Sequence, residues 1–385
     1  MKNGYQKNFL QRPWIPVAFV LFALTGCSGF FVPPDNSGGG GGGGGGTGTA
    51  RVYVANTTVG SNGSTGSISG FSIGDGTLTA VPNSPVALQF QPLALTITPS
   101  NSFLYIAGPS SINVYAINSD GSLTAQNNGA VVTVASLDVS PDGKWLLGVD
   151  TVRNVVDQFQ IDPTSGALSA ATGSPFNVDP NAIGVPKMIK VSPNGNFVFL
   201  ALGAGGESVL TFNSSTGALT PGPTFSLGSR TSDNGIAVNS TSSYLYVARS
   251  GNGGGVAVYN IGADGSLNSI SGSPFAAGAQ PIAVTLDTTG KNLYVANGSD
   301  NTISGYSIGT GSALTALGGS PYASGTQVNS LGVENTGKYL FAGASGGPDL
   351  SMYSFDATTP GKLNLVKSIA TDTDPAGVSA IAVTH

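Results

Sequence analysis

From about residue 50 onward, the chain is a succession of short segments in which apolar and polar positions alternate. Turns rich in Gly, Asn, Asp and Ser separate these segments. Alternation with a period of two is typical of strands that bury one face. The long Leu-, Glu-, Lys- and Ala-rich runs typical of helical proteins are missing. The pattern therefore predicts an all-β domain.

One apolar element recurs about every 50 residues, which indicates a repeat architecture. A second strand with an aromatic residue follows each copy, and then a turn and a short strand such as DGSLTA. The element reads LYVAN in its clearest copy, and its seven copies are Val52–Asn56, Leu104–Gly108, Leu146–Asp150, Val198–Leu202, Leu245–Arg249, Leu293–Asn297 and Leu340–Ala344. A fourth element of the type PIAVT precedes most copies, so each repeat has four strands, here called A to D from the PIAVT strand onward.

The repeat is circularly permuted along the chain. Strand A precedes only six copies of strand B, and its seventh copy lies at the C-terminus, in Gly377–His385. The first strand B begins near Arg51 with no strand A before it. We predict an all-β, seven-bladed β-propeller of four-stranded blades over residues 50–385. The C-terminal strand would join the N-terminal blade and close the ring without an open edge. A linear β-solenoid is the alternative, and the split repeat argues against it.

Residues 1–26 are predicted to be a lipoprotein signal peptide. Three basic residues precede an apolar run, Trp14–Leu24, that is too short to span a bilayer comfortably. The following Leu-Thr-Gly-Cys resembles the bacterial lipobox, and its Cys27 is the only cysteine in the chain. We therefore expect lipidation at Cys27 and export to the cell envelope, with the protein membrane-anchored in the periplasm or at the cell surface. An ordinary signal peptide or a buried thiol is the alternative.

Residues 27–49 are predicted to be a flexible tether between the lipidated cysteine and the propeller. Nine consecutive glycines, residues 38–46, cannot bury apolar surface and would be entropically costly to order. A phosphate-binding loop is disfavoured because no helix follows.

Charge and composition narrow the range of partners. Only 9% of residues are charged, and the net charge of −5 becomes more negative without the basic signal segment. No basic stripe is present, so we expect no nucleic-acid partner. No His/Cys cluster has metal-ligand spacing, so we expect no metal. We also expect no cofactor, and we expect the protein to be a monomer. A calcium site made of Asp, Asn and carbonyl groups remains open as an alternative.

Three stretches of the repeat, SPDGKWLL, TTGKNLYVANGSDNTISGYSI and DGSLTAQ, resemble the lactonase-type seven-bladed propellers, including 6-phosphogluconolactonase-like and YVTN-repeat proteins. The resemblance covers roughly residues 51–385. It implies a lactone hydrolase or a cycloisomerase with His, Arg and Glu side chains around a central pocket. That pocket would lie at the face where the B–C turns and D–A loops gather, called the mouth face below. The matching turns specify blades rather than reactions.

The sequence departs from this family at the expected active site. The family implies a His after the Pro of strand A, and the corresponding positions here are Leu93, Lys187 and Ile282. The only histidine, His385, is predicted at the opposite face, near an A–B turn. Glu334 is predicted there as well. No Ser-His-Asp triad can therefore form at the mouth face.

The remaining candidate residues are charges predicted on the mouth face. Glu207 and Asp233 are candidate catalytic bases for activating water. Arg153, Lys187 and Arg249 are candidate ligand-binding residues for a carboxylate, phosphate or oxyanion. The alternative for each is a solvated loop charge. The polar stretch Asn297–Asn301 is interpreted as a B–C turn, with Asp300 a minor member of any site.

Three functions follow as hypotheses. The first is a lipid-anchored propeller that binds an unidentified small molecule, glycan or protein at its mouth or faces without catalysis, and it rests on the missing His and Glu. The second is a lactone hydrolase resembling 6-phosphogluconolactonase. The third is a non-catalytic envelope scaffold.

Overall fold

The computed structural model describes residues 50–60, 63–178, 186–225, 231–371 and 376–385. The predicted signal peptide, Cys27 and the glycine tether lie outside these residues. Within the described part the alternating segments form strands, with one short 3₁₀ turn at Thr310–Ser312. No helix there has the length and apolar character needed to cross a membrane.

The strands form seven antiparallel sheets, which are the predicted blades. Blade 1 contains β1 (Arg51–Gly60), β2 (Gly63–Gly74), β3 (Thr77–Ala80), β4 (Val86–Leu88) and β31 (Ala376–Val383). Blade 2 contains β5 (Ala94–Ile97), β6 (Phe103–Ala107), β7 (Ile112–Ile117) and β8 (Leu123–Ala130). Blade 3 contains β9 (Ser136–Val139), β10 (Trp145–Asp150), β11 (Val155–Ile161), β12 (Leu168–Ala170) and β13 (Phe176–Asn177).

The other four blades follow the same order. Blade 4 contains β14 (Met188–Val191), β15 (Phe197–Ala201), β16 (Glu207–Asn213) and β17 (Ala218–Phe225). Blade 5 contains β18 (Thr231–Val238), β19 (Tyr244–Gly251), β20 (Gly255–Ile261) and β21 (Leu267–Ser269). Blade 6 contains β22 (Pro281–Leu286), β23 (Asn292–Asn297), β24 (Thr302–Ile308), β25 (Leu314–Ala316) and β26 (Tyr322–Ala323). Blade 7 contains β27 (Val328–Val333), β28 (Tyr339–Ala344), β29 (Leu350–Phe355) and β30 (Leu363–Ile369).

The ring closes as predicted. The last strand, β31, pairs antiparallel with β1, with Val383 opposite Val52 and Ala380 opposite Ala55. The backbone N–H of Arg51 donates to Thr384 Oγ1 at 2.9 Å and adds a further link between the two ends. The prediction of a seven-bladed propeller closed by its C-terminal strand is confirmed.

The core lies between the blades, because each sheet buries its two faces against its two neighbours. Seven clusters of buried apolar side chains fill the seven gaps between adjacent blades. The tyrosine of the LYVAN element adds a directional contact. Tyr53, Tyr105 and Tyr294 each donate a hydroxyl hydrogen bond to a glycine carbonyl in the C–D turn of the next blade. The repeated Tyr therefore joins neighbouring blades as well as filling space.

The A strands form the inner wall of the ring. In order around the ring they are β31, β5, β9, β14, β18, β22 and β27, and each contacts the next. Since the strands of a blade are antiparallel, the B–C turns and D–A loops gather on one face, the mouth face. The A–B and C–D turns gather on the other. His385 donates its backbone N–H to Asn101 in an A–B turn, and the Glu334 carboxylate accepts from the A–B turn of blade 7. Both residues lie at the face opposite the mouth, as predicted.

Candidate functional site

Three of the predicted residues, Glu207, Asp233 and Arg249, meet between blades 4 and 5 at the mouth face. Arg249 Nε lies 2.6 Å from Asp233 Oδ1 and its Nη2 lies 3.0 Å from Asp233 Oδ2, which makes the pair bidentate. The same Nη2 lies 3.0 Å from Glu207 Oε1 and donates to the Tyr259 hydroxyl at 2.8 Å. We call these four residues the acid–arginine cluster.

Local backbone geometry brings these side chains together. Gly203 and Gly206 adopt positive φ, which permits a tight B–C turn and places Glu207 at the first position of β16. Asp233 lies directly opposite Arg249 in the β18–β19 pairing, and its backbone N–H donates to the carbonyl of Gly203. The cluster therefore depends on a contact between two blades.

The acid–arginine cluster is closed to solvent. The side chains of Glu207 and Asp233 have no exposed surface, and that of Arg249 is 11% exposed. Burial, the negative charge of Asp233 and its hydrogen bonding raise the pKa of Glu207 to about 9 against the opposing effect of Arg249. Glu207 is therefore protonated at neutral pH, and its Oε2 has no hydrogen-bond partner among the described residues. A group in this state can donate a proton but cannot act as a general base.

The other two predicted residues lie outside this cluster. Arg153 sits in the β10–β11 turn of blade 3 and pairs with Asp150 at 2.7 Å and Asp157 at 2.8 Å. Lys187 is exposed at the start of strand A in blade 4, where its Nζ lies 2.9 Å from both Ser232 Oγ and Asn234 Oδ1. Lys187 thus contacts the residues that flank Asp233, whereas Arg153 belongs to a separate ion-pair network within its own blade.

An open cavity lies on the same face, between blades 6 and 7. Its volume is about 570 Å³, within the range usual for small-molecule sites. Nine residues line it: Gln280, Ile282, Gly298, Ser299, Asn301, Thr326, Gln327, Asn329 and Ser345. None is charged, and Ile282 supplies the only large apolar side chain. We call it the amide cavity.

Sequence reasoning did not find the amide cavity. Three of its residues belong to the stretch Asn297–Asn301, which is the β23–β24 turn as predicted, and which also forms one wall of the cavity. Asp300 is not among the lining residues, and its Oδ2 accepts the backbone N–H of Ala279. One signal was available in the sequence: a glutamine directly precedes strand A in both blades, at Gln280 and Gln327.

No group of three or more His, Cys, Asp or Glu side chains within the described ranges is placed to hold a metal ion. The absence of a metal or cofactor remains a prediction.

Comparisons with known proteins place the fold among known propellers. Residues 203–377 match the family model described as "Lactonase, 7-bladed beta-propeller". No curated protein matches the chain significantly. Among solved structures, a 6-phosphogluconolactonase candidate from Bacteroides fragilis matches at 17% identity with a TM-score of 0.68, covering 87% of this chain and 98% of its own.

Two further structures are similar over the same extent. A second 6-phosphogluconolactonase candidate, from Bacteroides uniformis, has 16% identity and a TM-score of 0.70, with 87% and 99% of the two chains covered. The periplasmic gluconolactonase of Pseudomonas aeruginosa has 15% identity and a TM-score of 0.66, with the same coverage. Identities this low support the shared fold, and they leave the activity to be argued from the site itself.

Proposed function

We propose that this chain, which matches the lactonase-type seven-bladed β-propeller model over residues 203–377 and shares the fold of a 6-phosphogluconolactonase candidate, is an exported, lipid-anchored propeller that binds a small ligand at its mouth face without catalysis. The amide cavity carries this proposal. It is the open, uncharged concave site on the face where the family's pocket is expected, with amide and hydroxyl groups for orienting a ligand. The candidate bases nearby are buried against Arg249 and expose no side-chain surface to a substrate.

Binding at the mouth face can be tested directly. Ligand-observed NMR of the purified full-length protein against a panel of small molecules and glycans should reveal binding. The bound compounds should then slow hydrogen exchange in the Gly298–Asn301 turn, which forms one wall of the amide cavity. Protection confined to the A–B turns would contradict the proposal, and an absence of binding across the panel would favour the envelope scaffold.

Lactone hydrolysis is the second candidate function. The family match and the structural similarity to a periplasmic gluconolactonase favour it, and so does the presence of one protonated carboxyl beside another on the mouth face. Purified protein should be assayed on sugar and acyl lactones. Turnover above the buffer rate that is lost in Asp233→Asn and in Glu207→Gln, but kept in Lys338→Ala at the exposed Lys338–Asp75 pair, would establish hydrolysis and overturn the binding-only proposal. Turnover that survives both substitutions would instead remove these two residues as the catalytic groups.

Anchoring is a separate part of the proposal. The apolar run of the signal segment followed by Leu-Thr-Gly-Cys supports lipidation at Cys27. Cys27→Ser should move the protein from the membrane fraction to the soluble fraction of cells. A matched variant, Ser28→Ala, should leave the distribution unchanged. Membrane retention of Cys27→Ser would show that the anchor lies elsewhere.

A further inference from the structure

Two glutamine–serine pairs frame the amide cavity, one from each blade. In blade 6, the Ser299 hydroxyl donates to Gln280 Oε1 at 2.6 Å, and Gly298 N–H donates to the Gln280 carbonyl at 2.9 Å. In blade 7, the Ser345 hydroxyl donates to Gln327 Oε1 at 3.1 Å, and Ser345 N–H donates to the Gln327 carbonyl at 3.3 Å. A similar arrangement is thus built twice, with one copy on each side of the cavity, although Ser345 supplies both donors in blade 7.

The serine contacts hold the two glutamine side chains in place and leave their amide N–H groups without a partner in the described ranges. Each Oε1 accepts a hydrogen bond from a serine, whereas each Nε2 makes no hydrogen bond to the described residues and can donate to a ligand. Asn329 adds an acceptor beside the cavity: its Nδ2 donates to the Val378 carbonyl at 2.6 Å, whereas its Oδ1 has no partner in the described part of the chain. The cavity therefore has a free amide donor on each of its two sides and an unpartnered, buried acceptor beside them.

Three cavity residues also hold strained backbone conformations. Gln280, Asn301 and Gln327 have φ of 57°, 57° and 56°, in the left-handed region that disfavours residues with a Cβ. Asparagine tolerates this region, but glutamine has no such preference. The strained residues are joined as well, since Asn301 Oδ1 accepts the backbone N–H of Gln327 at 2.8 Å. Strain of this kind persists where the surrounding structure enforces it, and it clusters at binding sites.

The chemistry of the lining selects for a class of ligand. Amide and hydroxyl groups can each donate and accept, which suits the adjacent hydroxyls of a polyol. No lysine or arginine lines the cavity to pair with a phosphate or carboxylate, and no aromatic or arginine anchor of the kind found in protein interfaces is present. The volume of about 570 Å³ accommodates a mono- or disaccharide.

We infer that the amide cavity is a binding site for a neutral, polyhydroxylated small molecule such as an unphosphorylated mono- or disaccharide, oriented by Gln280 and Gln327. This inference rests on the proposed binding function and specifies its ligand. With few apolar contacts available, affinity comes from hydrogen bonds that compete with water, so binding is expected to be weak and selective for hydroxyl geometry.

The test compares neutral and charged sugars on the full-length protein. Saturation-transfer NMR and calorimetry should be run with a set of neutral mono- and disaccharides, and in parallel with gluconate and glucose 6-phosphate. Wild-type protein should bind at least one neutral sugar and bind neither anion measurably. The double variant Gln280→Gly/Gln327→Gly should weaken the neutral sugar at least tenfold, because it removes both orienting amides.

The glycine variant separates lost binding from lost folding. Glycine adopts positive φ without strain, so the melting temperature of the double variant should stay equal to that of wild type or rise. Gln126→Ala is the matched control: this glutamine lies on β8 of blade 2, away from the cavity, and its loss should leave sugar binding unchanged. Unaltered sugar affinity in the double variant would overturn the inference.

Two other outcomes distinguish this inference from the proposed function. If only the anionic sugars bind and the double variant weakens them, the mouth face binds ligands but the neutral class is wrong. If no compound of this panel or of the wider screen binds, both the inference and the proposed binding function fail.

Discussion

Two gaps between neighbouring blades at the mouth face differ in how they are filled: one is closed by side chains and the other is open. Between blades 4 and 5, the acid–arginine cluster fills the space with three ionisable side chains and a tyrosine that bond one another. Between blades 6 and 7, neutral side chains leave an open cavity of about 570 Å³. Apart from Glu207 Oε2, the first gap pairs the polar groups of its cluster internally, whereas the second leaves hydrogen-bonding capacity for a ligand.

The difference follows from single positions of the repeat. The last residue of the LYVAN element is Arg249 in blade 5, Asn297 in blade 6 and Ala344 in blade 7. Arg249 lies opposite Asp233 in the sheet, whereas Asn297 lies opposite Pro281 and Ala344 opposite Val328. A long cation with a carboxylate opposite it closes its gap, while short neutral residues at the same register leave room. The buried charges of the acid–arginine cluster therefore link blades 4 and 5, whereas the uncharged turns of blades 6 and 7 leave an accessible cavity.

The largest loss of stability is expected from removing the Arg249 guanidinium between blades 4 and 5. Arg249→Met would leave the buried Asp233 carboxylate without its bidentate partner and would remove the hydrogen bond that Glu207 Oε1 accepts. Breaking a buried ion pair by deleting one partner typically costs about 3–5 kcal/mol. Urea unfolding followed by tryptophan fluorescence should report a loss of that order in the free energy of unfolding.

The control for this loss is an exposed ion pair. Lys338 and Asp75 are 3.2 Å apart with most of their side-chain surface in water. Exposed pairs contribute little to stability, so Lys338→Ala should change the unfolding midpoint far less than Arg249→Met. Similar losses in the two variants would mean that the acid–arginine cluster does not reinforce the ring.

Because Glu207 is protonated in the folded protein, the free energy of unfolding should depend on pH. Its pKa is raised from 4.5 to about 9 in the folded protein, so folding takes up a proton between those values. The contribution of Glu207 to the free energy of unfolding is fully present below about pH 4.5. It is lost as pH rises towards about 9, at up to roughly 1.4 kcal/mol per pH unit. Glu207→Gln, which cannot ionise, should remove this dependence and become more stable relative to wild type as pH rises.

The measurement is the difference in unfolding free energy between wild type and Glu207→Gln at a series of pH values from 5 to 9. Contributions from the other titrating groups largely cancel in this difference. A flat difference across the series would show that Glu207 is ionised in the folded protein, which would restore it as a candidate base.

The repeat made the fold predictable, whereas the sites depend on contacts between repeats. Seven copies of LYVAN and the permuted strand A were enough to predict seven blades and the closure of β31 on β1, because these features are periodic along the chain. The face assignment of Glu207, Asp233 and Arg249 also followed from strand order. Their burial did not, because it depends on how closely blade 4 approaches blade 5, which no spacing in the sequence reports.

The amide cavity was missed for a related reason. The residues of Asn297–Asn301 are ordinary turn formers, and their turn role is correct. Their second role arises only when the neighbouring blade brings Gln327 and Ser345 to the other side of the gap. A search for charged or metal-binding residues passes over such a site because its chemistry is neutral.

The smallest change in stability is expected for glycine substitutions at the amide cavity. Gln280→Gly and Gln327→Gly each relieve a left-handed φ that disfavours residues with a Cβ, and each also makes the unfolded chain more flexible. Because these effects oppose each other, the net gain in unfolding free energy should be under about 1 kcal/mol per site. Gln126→Gly, in the extended strand β8, has no strain to relieve and should lose stability by a similar amount. Urea unfolding of the three variants measures the contrast. A loss at Gln280 or Gln327 as large as that at Gln126 would mean that the positive φ stores no strain, and that the serine contacts of these glutamines serve folding rather than a ligand.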